Sequence, residues 1–451
     1  MCRFSAINAR TPFWILRFIL LLSFTGTASE SRAQHDMQGM DMGNDTMKMD
    51  EMPMEMHSLF SQNLPMSRDG SGTSWQPDES PSMMYMIHRG RNMYVFHGAF
   101  FIRYTSQDAA GNSGRGGNKF DAPNWFMFML RHELDAKNLL SFQSMFSLDP
   151  LTEKNGYPLL FQTGETYHDE PLVDRQHPHD LFATLAVNYT HSFSKKIDAN
   201  FYFGYPGEPA LGPGAFMHRV SAMNNPDAPL AHHWQDATHI TYGTATLGLR
   251  YQMLKAEASL FTGREPDENR YDFDKARFDS HSFRLSINPN KNLSAQISLG
   301  YIKSPEAMDP DLNITRTTAS VLHSVFLGKE RFISSAMVYG VNHMIDGMNM
   351  NSFSVESTLQ LQRHSFYLRY EFIQKDADEL MLIDFADDPL FDIQAFTLGI
   401  SRIIWKHART AITLGVQGTI NFPAEELRTV YGDRPLAAEV YLRISPAAVL
   451  D

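Results

Sequence analysis

The sequence predicts an all-β protein: a transmembrane antiparallel β-barrel of about sixteen strands with a disordered Met-rich N-terminal tail. Three observations carry the prediction. Between residues 93 and 444 the chain resolves into about sixteen segments of 9–14 residues, many alternating apolar and polar side chains. Short connections interleave with long ones along that stretch, the pattern of a barrel with tight turns on one rim and long loops on the other. A secretory leader precedes both.

The leader is residues 1–34. Arg3, Arg10 and Arg17 lie ahead of or within the apolar stretch from Phe13 to Phe24, and Ser31-Arg32-Ala33 is an acceptable cleavage site. The apolar run is too short for a convincing membrane anchor. The single cysteine, Cys2, falls inside the leader, so the mature chain is expected to carry no thiol.

Residues 35–82 read as a flexible periplasmic tail and linker. Its first part, HDMQGMDMGNDTMKMDEMPMEMH, holds Met37, Met40, Met42, Met47, Met49, Met52, Met54 and Met56 between His35 and His57. Thioethers are soft donors that suit copper(I), and silver(I) is expected to behave alike. Methionine also packs cores, but no Leu, Ile, Val or Phe stands between His35 and Ser58 to build one. The rest, from Ser58 to Pro81, is rich in Ser, Gly, Asp and Pro and reads as a flexible linker. Met83, Met84 and Met86, with His88 nearby, suggest either a short plug element or an extra strand.

Residues 83–451 are expected to form the barrel, with strands beginning near 93, 124, 138, 180, 197, 239, 255, 279, 293, 315, 331, 351, 365, 392, 409 and 436. Phe353, Val355, Leu359 and Leu361 share one face while Ser354, Glu356, Thr358 and Gln360 share the other, as lipid and a wet lumen require. Tyr189, Phe193, Phe326, Phe332, Phe366 and Trp405 lie near strand ends, where aromatic girdles form. The same alternation turns Met93, His97, Met127, Met129 and Met145 toward the lumen. Those sulfurs either pack against an inserted loop or form a path for metal. A soluble secreted β-sandwich or propeller also uses alternating strands, but strand length and even count favour the membrane.

Histidines gather in two long loops. His177 and His179 fall on one side of an extended chain; His232, Asp236 and His239 share a face if their stretch is helical. Two imidazoles and a carboxylate can hold copper(II), zinc or iron. The competing reading folds these loops into the barrel mouth, with their polar groups bonded to the wall. A third loop offers His343, Met348 and Met350.

The leader, acidic Met-rich terminus and barrel together resemble the outer-membrane copper-resistance proteins. The segments RQHPHDLF, ALGPGAFMHR and APLAHHWQDATHITYG resemble an uncharacterised family of bacterial outer-membrane β-barrel proteins found in metal-resistance settings. The first resemblance implies periplasmic copper binding by Met37 to Met56. The barrel here is longer than that of the compact copper-resistance proteins.

The expected function is therefore an outer-membrane barrel that sequesters copper(I) or silver(I) on its periplasmic tail, in resistance or homeostasis, with passage through the lumen as an extension. A general or selective porin with an incidental tail is the alternative, and an outer-membrane hydrolase using loop His and Asp residues is the second. No Gly-x-Ser-x-Gly, phosphate-cradling loop or Cys-x-x-Cys is present, so no enzyme and no organic cofactor are expected; copper is the one cofactor suggested. The expected partners are metal ions, outer-membrane lipid and periplasmic metal-resistance proteins. The net charge of −12 argues against nucleic acid and suits cations.

Overall fold

The computed structural model describes residues 56–111, 115–345, 347–382, 385 and 389–447. The leader, and with it His35, Met37, Met40, Met42, Met47, Met49, Met52 and Met54 of the tail, lie outside the described residues.

The chain forms β1 (Tyr85–Arg89), β2 (Asn92–Ser106), β3 (Asn118–Asp121), β4 (Asn124–Glu133), β5 (Asn138–Phe146), β6 (Tyr157–Tyr167), β7 (Glu170–Gln176), β8 (Phe182–Ser194), β9 (Ile197–Gly204) and β10 (Thr244–Tyr251). It continues through β11 (Leu254–Phe261), β12 (Ser280–Asn290), β13 (Leu293–Lys303), β14 (Asn313–Gly328), β15 (Arg331–Met344) and β16 (Asn349–Leu361). The last four are β17 (His364–Lys375), β18 (Phe391–His407), β19 (Thr410–Phe422) and β20 (Leu436–Pro446). Sixteen of these, β2, β4, β5 and β8–β20, pair antiparallel with their neighbours and close where β2 meets β20, Phe100 to Ser106 against Ile444 to Ala438. Below that seam, β1 pairs the other half of the same edge, Tyr85 to Arg89 against Phe96 to Asn92. The methionines at 83–86 thus lead into an extra strand.

Outside, Leu247 (64 % exposed), Phe283, Ile297 and Leu398 stand bare on a closed sheet. Their strand neighbours Thr246, Ser282, Ser298 and Thr397 are buried inside. A continuous apolar exterior around a polar interior is stable only in lipid, and the protein is an outer-membrane β-barrel. The expected inward turn of Met93, Met127, Met129 and Met145 is found; all four are buried. Phe332 and Phe326 are the exceptions among the girdle residues. Phe332 shares the inner face with Ser334 and Ala336 and is fully buried there, and Phe326, its partner on β14, meets it from the rim; Tyr189, Phe193, Phe366 and Trp405 face outward.

The lumen is filled from both ends. Ser58 to Pro81, expected to be a flexible linker, instead packs inside the short-turn rim. Ser61 Oγ donates to Asp198 at 2.5 Å, Arg131 Nε to the Ser58 carbonyl at 3.0 Å, and Arg284 Nη2 to Thr73 Oγ1 at 2.9 Å. Asn288 Nδ2 donates to the Gln76 carbonyl at 2.9 Å, and the Lys255 ammonium stands 4.8 Å from the Trp75 ring centre. The reason is chemical: Ser, Gly and Asp, which compose a solvated linker, are also the groups that satisfy charged residues on a polar inner wall.

From the long-loop rim, β6 and β7 form a separate hairpin whose Tyr157, Leu160 and Phe161 join Leu230, Trp234, Ile373 and Tyr431 in an apolar core. The 205–243 loop is held by ions as well. Arg219 bonds Glu356 of β16 at 2.7 Å, and Arg103 of β2 bonds Asp227 at 2.5 Å.

Candidate metal centre

Five imidazoles meet where the inserted loops touch. His177 and His179 follow β7; His232 and His233 open a short helix, His232–Gln235, and His239 ends the turn Ala237–His239. Ring centres lie 5.4 Å apart for His177 and His233, 5.3 Å for His232 and His233, 5.0 Å for His232 and His239, and 5.6 Å for His179 and His239. One nitrogen from each of His177, His232 and His233 lies within 4.8 Å of the other two.

Every ring is braced through Nδ1. His232 bonds Asp236 Oδ1 at 2.6 Å, His179 bonds Asp149 Oδ2 at 2.7 Å, His177 bonds Glu165 Oε1 at 3.1 Å and His233 bonds Glu265 Oε1 at 3.2 Å. His239 Nδ1 donates to the Asp236 carbonyl at 3.1 Å. The five Nε2 atoms are buried and have no hydrogen-bond partner. Carboxylate on one nitrogen and a bare second nitrogen is how metal-binding histidines are oriented. The bare Nε2 atoms also form no Ser–His–Asp relay, in which that nitrogen meets a hydroxyl.

The carboxylates are fixed in turn. Asp236 Oδ2 accepts from Arg219 Nη1 at 2.6 Å, and Arg270 bridges Glu165 and Asp180. Burial alone would raise the Asp236 carboxyl, but Arg219 and His232 outweigh it and hold the group below the usual range. Burial lowers the affinity of His177, His232 and His239 for protons, which keeps them neutral and ready to donate a lone pair.

The backbone makes room for this. Gly164, at φ +112°, lies against the His233 ring where any side chain would collide. Gly340 of β15 lets the Trp234 carbonyl approach the wall equally closely.

Of the sequence candidates, His177, His179, His232 and His239 come together here, and Asp236 stands behind them, orienting His232. His233 joins them from the same four-residue helix as His232, and its i+1 spacing carries no helical-face signal in the sequence. Glu165, Asp149 and Glu265 carried no local signal, being distant in sequence. His343 does not participate: it is exposed and bonded to Asn349, while Met350 is buried on the inner face in the core around Trp234. Met348 packs at the edge of that same core, away from the imidazoles. Met56 packs against the inner-wall methionines, and His57 bridges to Pro65 in the plug.

Two cavities flank the centre. Toward the loops is a vestibule of about 1040 Å³ lined by Glu165, Glu265, Asp267, Asp272, Asp274 and Glu306, among others. Toward the plug is a cavity of about 140 Å³ that reaches from His179 to His97 and Met127.

No family model matches the sequence, and no curated protein does. Among solved structures, the chain is similar to Salmonella typhi OmpF in complex with daunomycin, at 8 % identity and TM-score 0.49 over 80 % of this chain and 100 % of that one. It is similar to the anion-selective porin from Comamonas acidovorans at 14 % identity and TM-score 0.44 over 79 % and 100 %, respectively. The outer membrane channel DcaP of Acinetobacter baumannii gives 10 % identity and TM-score 0.45 over 79 % and 98 %. The sixteen paired strands and the filled lumen are described by this chain's own residues.

Proposed function

We propose that this protein binds copper-class metal ions inside an outer-membrane barrel and serves metal resistance or homeostasis by holding them there, with the methionine tail as a further soft-metal reservoir. The observation that carries the reading is the set of five buried Nε2 atoms without a hydrogen-bond partner. Each such atom costs roughly 1–3 kcal/mol when left unsatisfied, and one ion or an adjacent pair would satisfy several at once. Imidazole suits copper, zinc, nickel and iron, with copper(II) bound most tightly of the divalent ions. The acidic vestibule favours cations reaching the centre from the loop side.

Titration of the purified mature chain with cobalt(II), whose d–d bands report imidazole ligation, and then with copper(II) tests the reading. Stoichiometric binding that His232→Ala and His177→Ala each remove supports it. Binding unchanged by either substitution overturns it.

A selective channel is the second reading, favoured by the barrel and the vestibule of about 1040 Å³. Conductance across a planar bilayer separates the two. Steady large conductance from the intact protein supports the channel, and low conductance supports a lumen that binds.

A further inference from the structure

Below the imidazole centre the inner wall changes chemistry. β2, β4 and β5 place methionines in register, with His97 opposite Met127, Met127 opposite Met145, and Val95 opposite Met129. Met93, Met127, Met129 and Met145 are all buried. Packing against Leu59, Val95 and Ile240 accounts for sulfur that is merely apolar. It does not account for His97, whose Nε2 points at Met127 Sδ across 3.2 Å. A thioether is a weak acceptor, a poor partner for a buried ring nitrogen.

A metal explains the pair better. Nitrogen at about 2.0 Å and sulfur at about 2.3 Å from one tetrahedral ion lie about 3.5 Å apart, close to the observed separation. His218 brings a second ring, 5.3 Å from that of His97. Met129, Met217 and Met66 line the same cavity of about 140 Å³.

We propose that this pocket is a second metal site, selective for a soft monovalent ion such as copper(I) or silver(I), with His97 and Met127 as ligands and His218 and Met129 completing the shell. Imidazole and thioether are neutral ligands, so the site gives a divalent ion no charge compensation of the kind that Glu165, Asp149, Glu265 and Asp236 provide at the imidazole centre. Softness and charge thus sort ions between two sites, with His179 of the first and His97 and Met127 of the second lining one cavity. The inference rests on the reading that the barrel handles metal, but it uses different residues.

The test is NMR of the mature chain, carrying 13C-methyl methionine, in detergent micelles with added silver(I). Met127→Leu, close to isosteric, assigns its resonance and keeps the packing. The expected result is a Met127 methyl shift within the first equivalents of silver(I), lost in His97→Phe while tail methionines still respond, and one fewer silver(I) bound by Met127→Leu. A Met127 resonance that stays in place while the tail saturates overturns the proposal, as does unchanged silver stoichiometry in folded Met127→Leu. Cobalt(II) spectra of the same samples report the imidazole centre separately. Absent cobalt bands with an intact Met127 shift would count against that centre alone.

Discussion

His232 Nδ1 lies 2.6 Å from Asp236 Oδ1, and the other oxygen of Asp236 is held by Arg219. The imidazole is therefore oriented by a carboxylate that cannot itself turn away. Asp236→Asn is expected to weaken metal binding at the centre about 10–100-fold, measured by cobalt(II) or copper(II) titration. Equal affinity in the folded variant would show that the carboxylate is only structural.

Arg219 also ties the inserted loop to Glu356 on the wall, both fully buried. Removing Glu356 leaves Arg219 with Asp236 alone and takes a carboxylate from Arg369 as well, and breaking a buried pair costs roughly 3–5 kcal/mol. Glu356→Ala should lower the urea midpoint of barrel unfolding, and a midpoint unchanged from wild type would mean that Asp236 alone compensates Arg219.

Trp75 anchors the plug between Arg68 and Lys255, its ring centre 4.9 Å from the guanidinium carbon and 4.8 Å from the ammonium. Trp75→Ala removes a large buried ring at a cost of roughly 3–5 kcal/mol. The expected results are faster proteolysis between residues 58 and 81 and a rise in single-channel conductance. A plug that stays protease-resistant in this variant would place its anchorage in the hydrogen bonds instead.

Asp69 gives the plug a pH dependence. Burial raises its carboxyl from 3.8 to about 6, although Ser58, the Leu59 amide and Lys255 pull the other way. A raised folded pKa means that the stabilising contribution is complete below 3.8 and is lost as the pH rises through about 6. Hydrogen exchange at the Leu59 amide, which donates to Asp69 at 2.7 Å, should therefore be slower at pH 5 than at pH 8 after correction for intrinsic rates. Asp69→Asn should flatten that difference; a slope that survives the substitution belongs to another group.

Deleting residues 35–55 removes seven methionines of the tail. Silver(I) stoichiometry should fall while the cobalt(II) spectrum of the imidazole centre stays as in the full mature chain. Unchanged silver binding would remove the tail from the metal chemistry.

The barrel was legible because lipid imposes a period of two on every strand. Strands expected near 124, 138, 197, 293, 331 and 436 begin at those residues. The start expected near 239 moved to Thr244 because Ala237–His239 turns to bring His239 to its neighbours. The β6–β7 hairpin escaped notice for a related reason. Tyr157 to Phe161 is buried on both faces, so no alternation marks it. The metal centre was half visible: histidine spacing exposed the ligands, whereas their carboxylate partners come from β6, from the turn after β5 and from the loop after β11. Nothing in local sequence links Glu165, Asp149 and Glu265.

The edge of β2 is shared end to end, with β20 bonding its upper half and β1 its lower half. Without Tyr85–Arg89, the amides and carbonyls from Asn92 to Phe96 would face hydrocarbon with nothing to bond, which a membrane strand cannot tolerate. The strand that seals the wall is thus continuous with the stretch that fills it. One run of chain serves as both stave and stopper, so the cylinder cannot be closed along this edge without the segment that leads into its interior.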